Sequence, residues 1–210
     1  MLIFLRHRLA FLATPKTGTT AVEMALRPRA EIIFSKNRKH VTALRFSRKI
    51  APFLEDTFGV RPDAVAIMRD PTDQIASWFR YRGSDRLTGT DLSTRGISFD
   101  TYVREVISDA PPPRAQIGSQ FNFLTDGKEG GKETVMAEHV FAYENQSGFR
   151  QFMTDRLKTE VTLKPKNVSP GADTGLSAET LALLRAARAP EFALYDRVTA
   201  AGGHLVTPQG

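Results

Sequence analysis

Short apolar runs that alternate with longer amphipathic stretches constrain this chain more than any other feature. LAFLAT (9–14) has the length and composition of a buried strand, and a helix is predicted over about Thr19 to Leu26. EIIF (31–34) reads as a second strand. Over residues 42–58, Phe46, Ile50, Phe53, Leu54 and Phe58 fall at helical spacing, and Gly59 reads as the stop. DAVAIM (63–68) reads as a third buried strand, followed by a helix that opens at Pro71, a residue suited to a first helical position. HVFAYE (139–144) and SGFRQFMTDRLK (147–158) add a further strand and a further helix. A last helical region begins at Ser177, a good N-cap, and Pro190 divides it. Strands that alternate with helices predict an α/β fold with a parallel sheet covered on both faces.

Two segments break the rhythm: a polar, Gly-rich surface loop at 83–97 and the stiff connector DAPPPR at 109–114. Neither is long enough to separate domains, and 210 residues suit a single domain with one real core. The chain has no Cys, which excludes a disulfide scaffold, a Cys-based zinc site and thiol catalysis. That composition fits a reducing compartment, so a cytoplasmic location is the expectation. No apolar run is long enough to cross a bilayer. The opening MLIFLRHRLAFLATPK is interrupted by Arg6, His7 and Arg8 and lacks a basic leader and a small-residue cleavage site, so no signal peptide is expected. The net charge is +6, a field that favours anionic ligands.

FLATPKTGTTAVEMAL (11–26) reads as strand, tight loop and helix, with a Lys, a Gly and three Thr in the loop and nothing acidic. A helix N-terminus presents free N–H groups and a favourable dipole to an anion. Gly18 permits close backbone approach, Thr17, Thr19 and Thr20 add hydroxyls, and Lys16 adds a full charge. Together they read as a phosphate cradle; the plain alternative is a Thr-capped helix with Lys16 in solvent. The loop is not a Walker A motif, because Lys16 precedes the only Gly.

AVAIMRDPTDQIASWFRYR (64–82) repeats the strand–turn–helix pattern. Arg69 falls at the strand end, where open parallel sheets bind ligands, and Ser77 follows on the helix. An Arg and a Ser so placed can hold a second phosphate. The alternative is an Arg69–Asp70 surface pair with Ser77 in solvent.

On these two stretches the sequence resembles the sulfotransferases that use 3′-phosphoadenylyl sulfate (PAPS). PKTGTT resembles their 5′-phosphosulfate loop, and Arg69 and Ser77 in RDPTDQIAS resemble their 3′-phosphate site, with the matching spacing. KNVSP (166–170) is similar to a weaker motif of carbohydrate-type members that closes over the nucleotide, which brings in Asn167 and Ser169, and FAYE (141–144) resembles the strand before the late helix. The resemblance is strong over residues 9–82 and thin from 83 to 138. It implies a three-layer α/β/α sandwich with a central, mostly parallel, P-loop-like sheet. It also implies sulfuryl transfer from PAPS to a hydroxyl or amine, releasing adenosine 3′,5′-bisphosphate without a metal. Lys16 would neutralise the leaving oxygen, the N–H groups of Thr17, Gly18, Thr19 and Thr20 would hold the 5′-phosphate, and Arg69 with Ser77 would hold the 3′-phosphate. The acceptor, a small molecule or a glycan, is left open.

In the resembling family the base often lies in the loop after the second strand. Here that loop is SKNRKHVTAL (35–44), and His40 is its one candidate, with Glu23 in reserve. Lys36, Arg38 and Lys39 are expected to favour the neutral imidazole. The plain alternative is that His40 merely caps or precedes the helix that starts near Thr42. Trp78, Phe79 and Tyr81 either line a pocket or belong to the core, loop 83–97 is a candidate acceptor wall, and Gln116 and Gln120 either touch a polar acceptor or the nucleotide or, as is expected, face solvent at the surface. Two rival functions remain. A magnesium-dependent kinase would use Asp70 as metal ligand; a nucleic-acid binder would rest on charge alone, with no dense basic run or recognised motif to support it.

Overall fold

The computed structural model describes residues 1–128, 132–163 and 173–207. Six strands and nine α-helices are described: β1 (Leu2–Phe4), β2 (Leu9–Leu12), α1 (Thr19–Leu26), β3 (Ile32–Ile33), α2 (Ala43–Arg45), α3 (Ala51–Phe58), β4 (Asp63–Met68), α4 (Pro71–Arg82), α5 (Phe99–Val106), α6 (Gln120–Leu124), β5 (His139–Ala142), α7 (Gln146–Leu157), α8 (Ala178–Ala187), α9 (Ala189–Ala200) and β6 (His204–Val206). A π-helical turn, Phe46–Ile50, joins α2 to α3.

The strands form one sheet in the order β3-β1-β2-β4-β5-β6. β2, β4 and β5 pair in parallel. β1 is antiparallel to both β2 and β3, and β6 is antiparallel to β5. The sheet is therefore mixed, which corrects the expectation of a mostly parallel one. The cause lies in two reverse turns. Arg6, His7 and Arg8 do not merely interrupt an apolar run; they turn it. Arg8 adopts a left-handed φ of 50° and its N–H donates to Leu5 O at 3.1 Å, folding β1 back on β2. At the other end Gly202 and Gly203, with φ of 70° and 78°, return the chain after α9 into β6. Such turns need residues that tolerate positive φ. β3, β2, β4 and β5 nonetheless all run the same way.

Helices cover both faces, as the alternation of side chains along each strand requires. Ile3, Ala10, Leu12, Ala66, Met68 and Val140 pack with Phe46, Leu54, Phe121, Leu194 and Val198. Phe4, Phe11, Val65, Ile67 and Phe141 pack on the opposite face with Val22, Leu26, Phe149 and Met153 of α1 and α7. A third cluster, including Ile75, Phe79, Phe99, Tyr102, Leu184 and Phe192, joins α4, α5, α8 and α9. Gly59 ends α3 at a left-handed φ of 66°, and the Ser177 hydroxyl accepts from Thr180 N–H to open α8. Pro190 sits in the first turn of α9.

Candidate functional site

The carboxyl ends of the like-directed strands all deliver loops to one side of the sheet. β2 leads into residues 13–18, β4 into Arg69, β5 into Tyr143, and β3 into the segment that carries His40. A cleft of about 570 Å³ opens where these loops meet. Lys16, Gly18, Thr19, Thr20, His40, Arg69 and Ser77 all line it. Of the remaining expected site residues, Thr17 is buried beneath the loop, and Asn167 and Ser169 lie outside the described residues.

The loop is shaped by two left-handed residues, Lys16 with φ of 65° and Gly18 with φ of 73°. Lys16 carries a side chain into a conformation that costs a non-Gly residue about 1–2 kcal/mol. The Thr17 hydroxyl donates to Thr14 O at 2.9 Å, so it fastens the loop from within, and the expected N–H contribution of Thr17 is independent of that bond. Gly18 is the N-cap of α1, and no side chain caps that helix, which leaves first-turn N–H groups free for an anion. A Cβ on Gly18 would lie 3.1 Å from Tyr143 Cε2, so the aromatic ring as well as φ disfavours a larger residue here.

Among the described residues no carboxylate lines the cleft, whereas Lys16, Lys39, Arg69 and Arg86 do. Lys16 Nζ stands 4.1 Å from the centre of the Tyr81 ring and 5.2 Å from that of Trp78. These contacts hold the ammonium without neutralising it. Burial, then the charges of Arg69, Arg80 and Arg82, push the Lys16 pKa down to about 8. The ammonium thus persists at neutral pH, but an incoming anion stabilises it further.

Arg69 lies with Cζ 4.6 Å from the Tyr143 ring centre. Its Nη2 is 3.7 Å from Asp73 Oδ2, a loose pairing with an exposed carboxylate, and its Nε is buried without a hydrogen-bond partner. An orphaned buried guanidinium nitrogen is costly unless an acceptor arrives. Asp70 does not pair with Arg69; its Oδ1 accepts from Asp73 N–H at 3.1 Å and caps α4. Gln120, expected at the surface, is 1% exposed. Its Oε1 accepts from Arg69 N–H and its Nε2 donates to Arg69 O, both at 2.9 Å. Gln120 is held in turn by Glu191 Oε1, which accepts from its backbone N–H at 2.8 Å. Gln116 is exposed, as expected, and donates to Pro111 O.

His40 Nδ1 lies 2.6 Å from Ala13 O. A carbonyl only accepts, so Nδ1 carries the proton and a neutral ring leaves Nε2 as a lone-pair acceptor. The His40 pKa is lowered, first by burial, with the Ala13 bond opposing and Lys39 assisting. Burial therefore outranks the basic neighbours expected to do this. His40 precedes α2 without capping it: Thr42 Oγ1 accepts from Arg45 N–H at 3.2 Å and opens the helix. Glu23, the reserve candidate, is engaged with Lys39 Nζ at 3.2 Å.

Trp78 and Tyr81 line the cleft, edge to face with ring centres 5.9 Å apart, while Phe79 belongs to the core. Ser84 and Arg86 bring loop 83–97 to the rim. Tyr143 was not singled out from sequence, and Lys39 only as a basic neighbour of His40. Tyr143 had a usable signal: it follows β5 as Arg69 follows β4, at the strand end where such sheets bind ligands. No family model, curated protein or solved structure matches the chain.

Proposed function

We propose that the protein is a PAPS-dependent sulfotransferase with a hydroxyl- or amine-bearing acceptor. The observation that carries this reading is the meeting of two sequence-distant elements suited to anions, the Lys16–Thr20 loop and the Arg69/Ser77 pair, on one cleft that no carboxylate lines among the described residues. Their separate placement fits a ligand with two phosphate positions, one at the N-terminus of α1 and one at Arg69. The unpartnered Arg69 Nε is the kind of donor that a 3′-phosphate satisfies.

On this reading the acceptor oxygen forms a bond to sulfur as the bond from sulfur to the bridging phosphate oxygen breaks. The acceptor proton passes to His40 Nε2, and the leaving phosphate keeps the electron pair. Lys16 meets the charge that develops on that oxygen, an interaction stronger in the transition state than in the ground state. The side chains of the cleft supply the positive charge that magnesium supplies in a kinase, and Asp70 is engaged as a helix cap. The reading includes a cytoplasmic location; among the described residues no helix is long and apolar enough to cross a membrane.

Incubation with radiosulfur-labelled PAPS and an extract of the source cells tests the assignment. Labelled product should form, and EDTA should leave the rate unchanged. Turnover that collapses on chelation and returns with magnesium would favour the kinase.

A further inference from the structure

A second groove, of about 920 Å³, opens on the other side of His40. It shares His40 with the nucleotide cleft and is otherwise built from the segment between β3 and α3. Its apolar lining is Phe34, Val41, Leu44 and Ile50; its charged lining is Arg38, Arg45, Arg48 and Lys49. Among the described residues none of these four cations pairs with a carboxylate, although ion pairs are common elsewhere on the surface. The π-helical turn Phe46–Ile50 lies inside this segment, and such turns are frequent at functional sites. Phe53, one turn beyond Lys49, and Phe58, at the end of α3, stand 57% and 49% exposed, edge to face with ring centres 6.3 Å apart.

Unpaired cations beside an apolar floor, with two exposed aromatic rings on the helix that follows, match one ligand chemistry: an anionic headgroup on an apolar body. We infer that this groove binds an anionic amphiphile of the acidic-lipid class as the sulfuryl acceptor and presents its hydroxyl to His40. The inference rests on the proposed sulfotransferase reading for the transfer step, but not for the binding. A purely hydrophilic polyanion would leave Phe34, Leu44, Phe53 and Phe58 without a role. A neutral lipid would leave four like charges uncompensated.

Calorimetric titration of the full chain, below micelle-forming concentrations, separates these possibilities. Lysophosphatidate carries phosphate, hydroxyl and acyl chain together. It should bind at least about tenfold tighter than glycerol 3-phosphate, which lacks the tail, since burying two methylene groups already gives about that gain, and about tenfold tighter than monoacylglycerol of the same chain length, which lacks the charge. The double substitution Arg45→Glu/Arg48→Glu, at exposed positions, should weaken lysophosphatidate about tenfold or more while adenosine 3′,5′-bisphosphate binds as before. Tight lysophosphatidate binding without any bisphosphate binding would support the groove and contradict the donor assignment. A heparin fragment that binds as tightly as lysophosphatidate, or a double variant that binds lysophosphatidate normally, would overturn the inference.

Discussion

Gln120 grips Arg69 by both of its backbone groups, receiving the N–H on Oε1 and donating Nε2–H to the carbonyl. The two residues are 51 positions apart, and Glu191 of α9 anchors the grip. A guanidinium whose backbone is fixed in this way is preorganised for its ligand. Gln120→Leu keeps the bulk and removes the polar atoms. Leaving buried backbone groups unsatisfied costs about 1–3 kcal/mol each, so urea denaturation should show a loss of that order. Binding of adenosine 3′,5′-bisphosphate should weaken as well. A variant as stable as the parent would show that the grip is incidental.

His40 and Lys16 predict a bell-shaped pH profile of kcat/KM, which reports the free enzyme. The His40 pKa lies below its usual 6.5, so its base form persists through neutral pH and activity falls only at more acidic values. Lys16 is pushed down to about 8, so its charge, and with it activity, is lost as pH rises through that value. His40→Ala should lower turnover about a hundredfold, remove the acid limb and leave bisphosphate affinity unchanged. A residual rate within a few-fold of the parent would remove His40 from the mechanism.

Gly18→Ala confronts two obstacles at once, a φ of 73° and the Tyr143 ring at 3.1 Å from the new Cβ. The backbone term alone is about 1–2 kcal/mol. Adding Tyr143→Ala removes the ring but not the φ, so chemical denaturation should show only partial recovery relative to Tyr143→Ala alone. Full recovery would assign the whole effect to the ring.

The His139–His204 pair, Nδ1 to Nε2 at 3.1 Å, makes stability depend on acid. Burial, then His204 and Arg156, lower the His139 pKa to about 4. Between about 6.5 and 4 the unfolded chain binds a proton that the folded chain does not. The stability is therefore fully present above about 6.5 and is lost as pH falls through 4. His139→Gln should flatten the fall in denaturation midpoint between pH 7 and pH 4.5; an unchanged slope would place the acid sensitivity elsewhere.

What could be read from the sequence follows from which signals are local. The helix Thr19–Leu26, the strand Asp63–Met68, the helix start at Pro71 and the caps at Gly59 and Ser177 are set by nearby residues and stand where expected. β1 and β6 were missed because three residues each, joined by turns on Arg8 and Gly202–Gly203, leave little periodicity. Their reversal is what makes the sheet mixed. In the site, Lys16, Arg69 and Ser77 were legible because strand–turn–helix patterns announce a binding edge. Gln120 was not, since a buried polar residue looks like any surface glutamine until its partner, 51 positions away, is placed beside it. The Thr17 hydroxyl is a smaller case of the same kind: only the folded loop shows that it turns inward to Thr14 O.

On the proposed reading, Arg69 and Ser77 hold a 3′-phosphate while the Lys16 loop holds a 5′-phosphate. The most direct measurement compares the melting temperature with adenosine 3′,5′-bisphosphate, ADP and AMP, for the parent and for Arg69→Ala. The account predicts a much larger rise with the bisphosphate than with ADP or AMP, and loss of most of that difference in the variant. Equal shifts with all three nucleotides, or a preference that survives Arg69→Ala, would contradict it.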